Sequence, residues 1–507
     1  MHHDYLVTSL YSKEIILSIV MINVTIGIVA GLYAVRRKDA LSYMTSLFLY
    51  ITFHYTYSVF SIFDYNAFFV WRKNTQQGAK IIGLLFIVFI IVELYRKYVI
   101  KKWRYVKSPV VALPVFLSIV WVLFTFVQWG LNLLTKHPIS RIALQDTGSA
   151  IIMLLLVAGF CMALLENDAQ SADFWIIVRR LYPIILIAMF LIAAYQIAFS
   201  RVFAAGLLPN GEVVLRACAF LFNPNVLGFW SSLTVFFISY AYHSGNMRAK
   251  FAIPSILIAG LCIFLSGSRS CFLICGFFLI TSVIFIIISR KLSQLWQTIL
   301  PTITLSGATL FFFSIIKMME WITSHKITVI HSMSLLVDRF ISIPFLILHY
   351  SGMVLQQYFP ELGSFVTGLI SVPQGYVITE KSAALLAKYP EAFNVYSNLA
   401  QRLTTSSGLA DNGFIAIYED CQWLGLLPWC FLWVSLIWLG LRAFYLKPDV
   451  NSGYAVTAVL GCAFSAFGMR LFQVFPFWIL VALCLGPAFY LILSVLEENC
   501  AKTPEDS

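Results

Sequence analysis

Residues 264–278 read FLSGSRSCFLICGFF: two apolar runs divided by a Ser/Gly step that carries one arginine, Arg269. An arginine at membrane depth is costly, so its position marks a boundary or a site. The chain continues in the same way in both directions. Of its 507 residues, 60% are hydrophobic and only 11% are charged. Apolar runs long enough to cross hydrocarbon as helices recur along its length. They are continuous rather than alternating, which excludes a β-barrel of the outer-membrane kind. The expected fold is therefore an all-α polytopic membrane protein with about 12–13 transmembrane helices. No cleavable leader is expected, because little positive charge precedes the first run and no small-x-small site follows it. The ten cysteines fall almost all in apolar runs, where they read as small buried hydrophobes, and none has metal-ligand spacing.

Spans are expected near 15–35, 42–63, 79–95, 109–133, 149–165, 182–200, 225–243, 251–266, 271–289, 298–316, 413–441, 453–471 and 475–494. Two close pairs among them leave room for broken or re-entrant helices. The net charge of +11 lies mostly in short connections, a pattern of membrane orientation and not of nucleic-acid binding. Arg36, Arg37 and Lys38 open the series. Arg96, Lys97, Lys101, Lys102, Arg104 and Lys107 continue it, followed by Arg179 and Arg180, Arg248 and Lys250, Arg290 and Lys291, and Arg442 and Lys447. These connections are expected on the cytoplasmic side. The opposite side then receives 201–224, the step at 266–270 and the long segment 317–412. Four stretches follow: N-terminal helices to 200, a core at 201–316, the external segment 317–412, and C-terminal helices with a short tail at 413–507. The external segment has no cysteine to staple it. Its apolar patches at 345–348 and 358–360 suit helices lying on the membrane surface.

The candidate chemistry lies on that external side. Arg216 precedes a helix start at Asn223-Pro224-Asn225, where proline is tolerated and the free N–H groups suit an anion. Arg269 projects from the Ser/Gly step, and Ser268 or Ser270 can cap the helix that follows. Asp411-Asn412-Gly413 can cap the helix that re-enters the membrane, and Asp411 can act as a base or orient a hydroxyl. Glu419 and Asp420 follow inside that apolar helix. Arg402, Arg470 and Arg339 are further cations, and Asn412, Asn223 and Asn225 further polar candidates. Several guanidinium groups on one face of a bundle suit a diphosphate, whose oxygens they bind through paired hydrogen bonds at any working pH. They also stabilise charge on a departing diphosphate. No metal is expected, and no other cofactor.

At these residues the chain resembles the O-antigen ligase/polymerase superfamily of bacterial surface-polysaccharide enzymes. The matching stretches are R-x(6)-N-P-N-x-L from Arg216 to Leu227, S-G-S-R-S at 266–270, the long external loop, and D-N-G-F at 411–414 followed by Gly425. The resemblance covers about residues 200–430, and the first half matches only as a hydrophobic bundle. It implies a glycosyltransferase of the all-helical GT-C type that uses lipid-linked glycan, in the bacterial inner membrane with its site at the periplasmic face. Arg216, Arg269 and Asp411 would be catalytic, and Arg402, Arg470, Asn412, Asn223, Asn225 and Arg339 would bind substrate. The ligases of the superfamily carry H-[NSQ]-x(9)-G-x-x-[GTY]. Here that frame reads Asp411-Asn412-x(9)-Gln422-x-x-Gly425, without the histidine or the first glycine.

The departure favours a Wzy-type polymerase acting on oligosaccharide linked to undecaprenyl diphosphate. Implied partners are this substrate, membrane lipid, and a chain-length regulator and a flippase of the same pathway. A ligase that moves the glycan onto lipid A core stays open. So does a transporter of the glycan-lipid, which would carry internal repeats and midplane charges.

Overall fold

The structure is a computed structural model that describes residues 109–135, 147–155, 157–158, 161, 168–198, 204–207, 213–219, 221, 224–289, 356, 359–368, 413–469 and 477–502, besides residue 25. Residue 25 apart, the spans expected at 15–35, 42–63, 79–95 and 298–316 lie outside these residues. So do Asn223, Arg339, Arg402, Asp411, Asn412 and Arg470.

The described residues form a helical bundle. Its elements are α1 (Pro109–Leu134), α2 (Asp168–Ala198), β1 (Ala204–Leu207), β2 (Val213–Arg216), α3 (Pro224–His243), α4 (Ala249–Ser266), α5 (Arg269–Ser289), α6 (Pro360–Gly368), α7 (Gly413–Leu446), α8 (Val450–Gly468) and α9 (Phe477–Lys502). Residues 147–155 are also helical. Among the described residues, five helices are long and apolar enough to cross a membrane, over Leu113–Leu134, Ala249–Ser266, Arg269–Ser289, Cys421–Leu446 and Val450–Gly468. They coincide with spans expected from the apolar runs, and they make the chain a multi-pass membrane protein. Shorter apolar stretches run over Pro183–Ala198 in α2 and Leu480–Leu496 in α9. α2 starts well before its apolar part, because a polar opening (DAQSAD) is compatible with helix but invisible to hydropathy.

α3 sits at the centre. Seventeen of its twenty residues are buried, including Ser231, Ser232 and Thr234. A helix buried all round needs no single apolar stripe. α4 and α5 pack on it, α2 packs on α4, α8 joins α5 to α7 and α9, and α7 packs on α1. The outer surfaces are apolar: Phe116, Ile119, Leu123 and Phe126 on α1 and Ile280, Ile284 and Ile288 on α5 are exposed. Such a continuous apolar surface suits lipid rather than water.

Small residues set how closely the helices meet. A Cβ on Gly461 of α8 would lie 2.0 Å from Cε1 of Phe278 on α5. A Cβ on Gly228 of α3 would lie 2.7 Å from Cβ of Cys271 on α5.

One element falls outside the all-α expectation. β1 and β2 pair antiparallel, with Ala204 opposite Arg216 and Leu207 opposite Val213. The strands are four residues each, too short for alternation to stand out against apolar neighbours.

The two ends of the bundle differ. At one end lie Arg248 of the α3–α4 connection, Lys250 in the first turn of α4 and Lys447 of the α7–α8 connection, and the Tyr240 hydroxyl of α3 donates to Asn451 of α8. Asp449 caps α8, accepting from the Ser452 N–H at 2.7 Å. Lys447 donates to Glu498 at 2.9 Å, which holds its ammonium above the ordinary lysine range. Both partners are about half exposed, so the pair adds little stability. The opposite end holds β2, the start of α3 and the α4–α5 step. Arg179 and Arg180 of α2 lie sixteen or more residues from Gln196, about 24 Å along the helix.

Candidate functional site

The α4–α5 step folds as its composition dictates. Gly267 adopts the left-handed conformation (φ 56°, ψ 23°) that ends α4, and its N–H donates to the Phe264 carbonyl at 2.9 Å. Ser268 then carries the first carbonyl of the next helix, accepting from the Phe272 N–H at 3.1 Å. Arg269 follows as the first residue of α5 and is half-buried.

Arg216 comes to this step from the last position of β2. The next residue pins the strand, with the Ala217 N–H donating to the Leu265 carbonyl at 3.0 Å. Its guanidinium makes two bonds across the junction. Nε donates to the Ser266 carbonyl at 2.9 Å, and Nη2 donates to Asn225 Oδ1 at 2.6 Å. The first bond satisfies a carbonyl that the end of α4 would otherwise leave unpaired. The second reaches into the opening turn of α3. Ser268 Oγ donates to the same Asn225 Oδ1 at 2.9 Å, so Arg216, Asn225 and the Ser/Gly step form one connected network. Ser268 is buried.

Below this network Cys271 locks α5 to α3 and α8. Its Sγ lies 3.1 Å from Ser268 Oγ, 3.3 Å from the Asn225 carbonyl and 3.7 Å from Met469 Sδ. Ser232 of α3 donates to the Cys271 carbonyl at 3.0 Å. Gly228 permits this approach, and Gly468 of α8 faces Ser270, where an added Cβ would lie 3.4 Å from Ser270 Cβ.

The structure thus brings together Arg216, Asn225 and the step bearing Arg269, three elements of the expected site. Asn225 was expected to contact substrate, and here its oxygen accepts from two protein donors. The remaining candidates lie outside the described residues, and described neighbours of two of them, Arg470 and Asp411, reach the same end. Met469, which precedes Arg470, touches Cys271. Phe414, three residues after Asp411, meets Phe467 of α8 with ring centroids 4.8 Å apart. Phe477 at the start of α9 meets Phe229 of α3 at 5.7 Å. Among the described residues, no three His, Cys, Asp or Glu side chains gather as a metal site requires.

Sequence reasoning missed Gln196 of α2. It is fully buried, and its Oε1 accepts from the N–H groups of Cys218 at 3.1 Å and Ala219 at 2.9 Å. Its Nε2 donates to the Ala219 carbonyl at 3.0 Å. The available signal was a lone amide near the end of an apolar run, PIILIAMFLIAAYQIA.

α7 is broken where the ligase frame carries its first glycine. Gln422 has φ 52° and ψ −160°, a region that side chains other than glycine rarely enter. The break separates Gly413–Cys421 from the apolar part of α7. Gly425, one turn on, faces α1, where an added Cβ would be in ordinary contact with Thr125 Oγ1 at 3.4 Å. Gln422→Gly is expected to relieve the strain and stabilise the protein by about 1 kcal/mol, the strain released less the added freedom of the unfolded chain. The midpoint of thermal unfolding in detergent measures this, and an unchanged or lowered midpoint counts against strain at Gln422. Compared with known protein families and with curated proteins, the chain gives no match.

Proposed function

We propose that the chain is a polymerase of lipid-linked oligosaccharide repeat units, acting at the periplasmic face of a bacterial inner membrane. The observation that carries this reading is the junction of Arg216 with the Ser/Gly step of Arg269, at the bundle end opposite Arg248, Lys250 and Lys447. Two guanidinium-bearing segments meeting at one end of the bundle suit a diphosphate, and the basic connections opposite suit the cytoplasmic side. The resemblance to the O-antigen ligase/polymerase superfamily points the same way, including its GT-C type of helical architecture.

In this reading, polymer on undecaprenyl diphosphate is the donor. A hydroxyl at the non-reducing end of an incoming lipid-linked repeat attacks the donor's anomeric carbon. The new glycosidic bond forms as the bond from that carbon to the diphosphate oxygen breaks. Undecaprenyl diphosphate leaves with the electron pair, and the hydroxyl proton passes to Asp411. Arg216 and Arg269 stabilise the leaving charge, and Arg402, Arg470, Arg339, Asn412 and Asn223 contribute to substrate binding. Arginines supply the positive charge, and no metal is invoked.

Deletion of the gene tests the reaction. Surface polysaccharide is resolved on a gel and carrier-linked glycan is extracted separately. A polymerase predicts single repeats attached to the final acceptor. Absence of attached glycan, with long polymer on undecaprenyl diphosphate, would instead indicate a ligase. Failure of any lipid-linked repeat to reach the external face would indicate a transporter.

A further inference from the structure

We infer that Gln196 is a positioning residue for Arg216, and that through Arg216 it sets the affinity of the site for a diphosphate. The inference rests on the diphosphate reading above and adds a residue from outside the resembling motifs. A buried amide is costly unless hydrogen-bonded, and the cost is greatest in an apolar bundle. Among the described residues, Gln196 meets its demand on one short segment. Oε1 accepts from Cys218 N and Ala219 N, while Nε2 donates to the Ala219 carbonyl and points to Cys218 Sγ at 3.8 Å.

That segment needs an outside brace. Ala219 has φ 48°, the left-handed region that disfavours a Cβ. The turn closes with the Leu221 N–H donating to the Cys218 carbonyl at 2.9 Å. Arg216 lies immediately upstream. Its guanidinium must reach Ser266 and Asn225 from a backbone paired with Ala204 in β1 and followed directly by Ala217, bonded to Leu265, and by Cys218 and Ala219, bonded to Gln196. A planar guanidinium recognises a diphosphate by geometry as well as charge, so a shift of its backbone weakens the contact without removing the charge.

The test uses the full-length protein in detergent, with farnesyl diphosphate as the probe, titrated calorimetrically. Hydrogen exchange is followed in parallel. Q196M keeps the side-chain length and removes every hydrogen bond. It is expected to weaken farnesyl diphosphate binding about 10-fold, in line with the loss of several buried bonds. The amides of Cys218 and Ala219 should lose protection while those of α4 and α5 keep theirs. Q196E keeps the two acceptor bonds and should fall between wild type and Q196M in affinity, with both amides still protected.

Wild-type affinity in every variant that folds would overturn the inference, even with the amides exposed, since Gln196 would then be structural only. Retained protection of both amides in Q196M would overturn the clasp itself. If the wild type fails to bind farnesyl diphosphate, the diphosphate reading falls and this inference with it, a result distinct from the other two. If Q196M loses protection throughout, it has not folded, and Q196E then decides.

Discussion

Arg216→Ala is expected, under the proposed polymerase function, to lower polymer synthesis about 100-fold or more while the protein still inserts in the membrane. The magnitude is that of removing one preorganised donor from a site that stabilises developing charge. The structure explains why charge alone will not restore it. Arg216 uses Nε and Nη2 in diverging directions, one to the Ser266 carbonyl at the end of α4 and one to Asn225 at the start of α3. Lysine offers one ammonium on a flexible stem and cannot hold both. Arg216→Lys should therefore remain impaired at least about 10-fold.

Loss of two hydrogen bonds also removes stability, about 1–3 kcal/mol for a buried acceptor left unpaired. Synthesis must therefore be expressed per folded molecule. Chain length on a gel, with membrane-inserted protein quantified in the same cells, makes the measurement. Normal-length polymer from Arg216→Ala would remove Arg216 from the site. Full activity of Arg216→Lys would mean that the fork of donors is not needed. Arg269→Ala, at the other side of the step, is expected to give the same loss.

The second large effect is structural. Gly461→Ala places a methyl group where the Phe278 ring already sits, with Cε1 2.0 Å and Cζ 2.4 Å from the new Cβ. The ring has nowhere to retreat: it is fully buried and stacks on Phe236 of α3 at 4.9 Å, which in turn stacks on Tyr454 of α8 at 4.7 Å. Overpacking of this kind costs about 1–3 kcal/mol. The α5–α8 contact opens, and α5 carries Arg269 at its first residue. Thermal unfolding in detergent should show a lowered midpoint, with activity falling in parallel.

Phe278→Leu frees the space, so the double variant should be more stable than the sum of the single effects by about 1 kcal/mol or more. Additive behaviour would mean that Gly461 and Phe278 are not in contact in the native protein. Leucine at Phe278 alone is destabilising, since it leaves part of the aromatic volume unfilled.

Much of the helical plan was legible because a bilayer is a uniform solvent. Each run such as 271–289 must satisfy its own backbone bonds, so local hydropathy decides it. The Ser/Gly step was legible for a related reason. Glycine and serine between two apolar runs leave little choice but a turn, and Gly267 does adopt φ 56°. The ribbon of β1 and β2 was not legible, since its register pairs Val213 with Leu207 and Arg216 with Ala204, and neither strand is long enough to announce a period. Nor was the break at Gln422, because nothing in IYEDCQWLGL demands a positive φ. Packing of Gly425 against α1 accompanies it.

The sequence alone determined that this chain is helical and membrane-spanning, and it set Arg248, Lys250 and Lys447 apart from Arg216 and Arg269, which the described bundle places at opposite ends. Those properties follow from each segment's transfer between water and hydrocarbon, which depends on the segment itself. Tertiary structure decided which groups Arg216 binds. Arg216 finds its acceptors 9 and 50 residues away, and Gln196 grips a turn 22 and 23 residues downstream. Hydrogen bonds have a short reach and strict geometry, so partners that far apart in the chain are chosen only when the helices have packed.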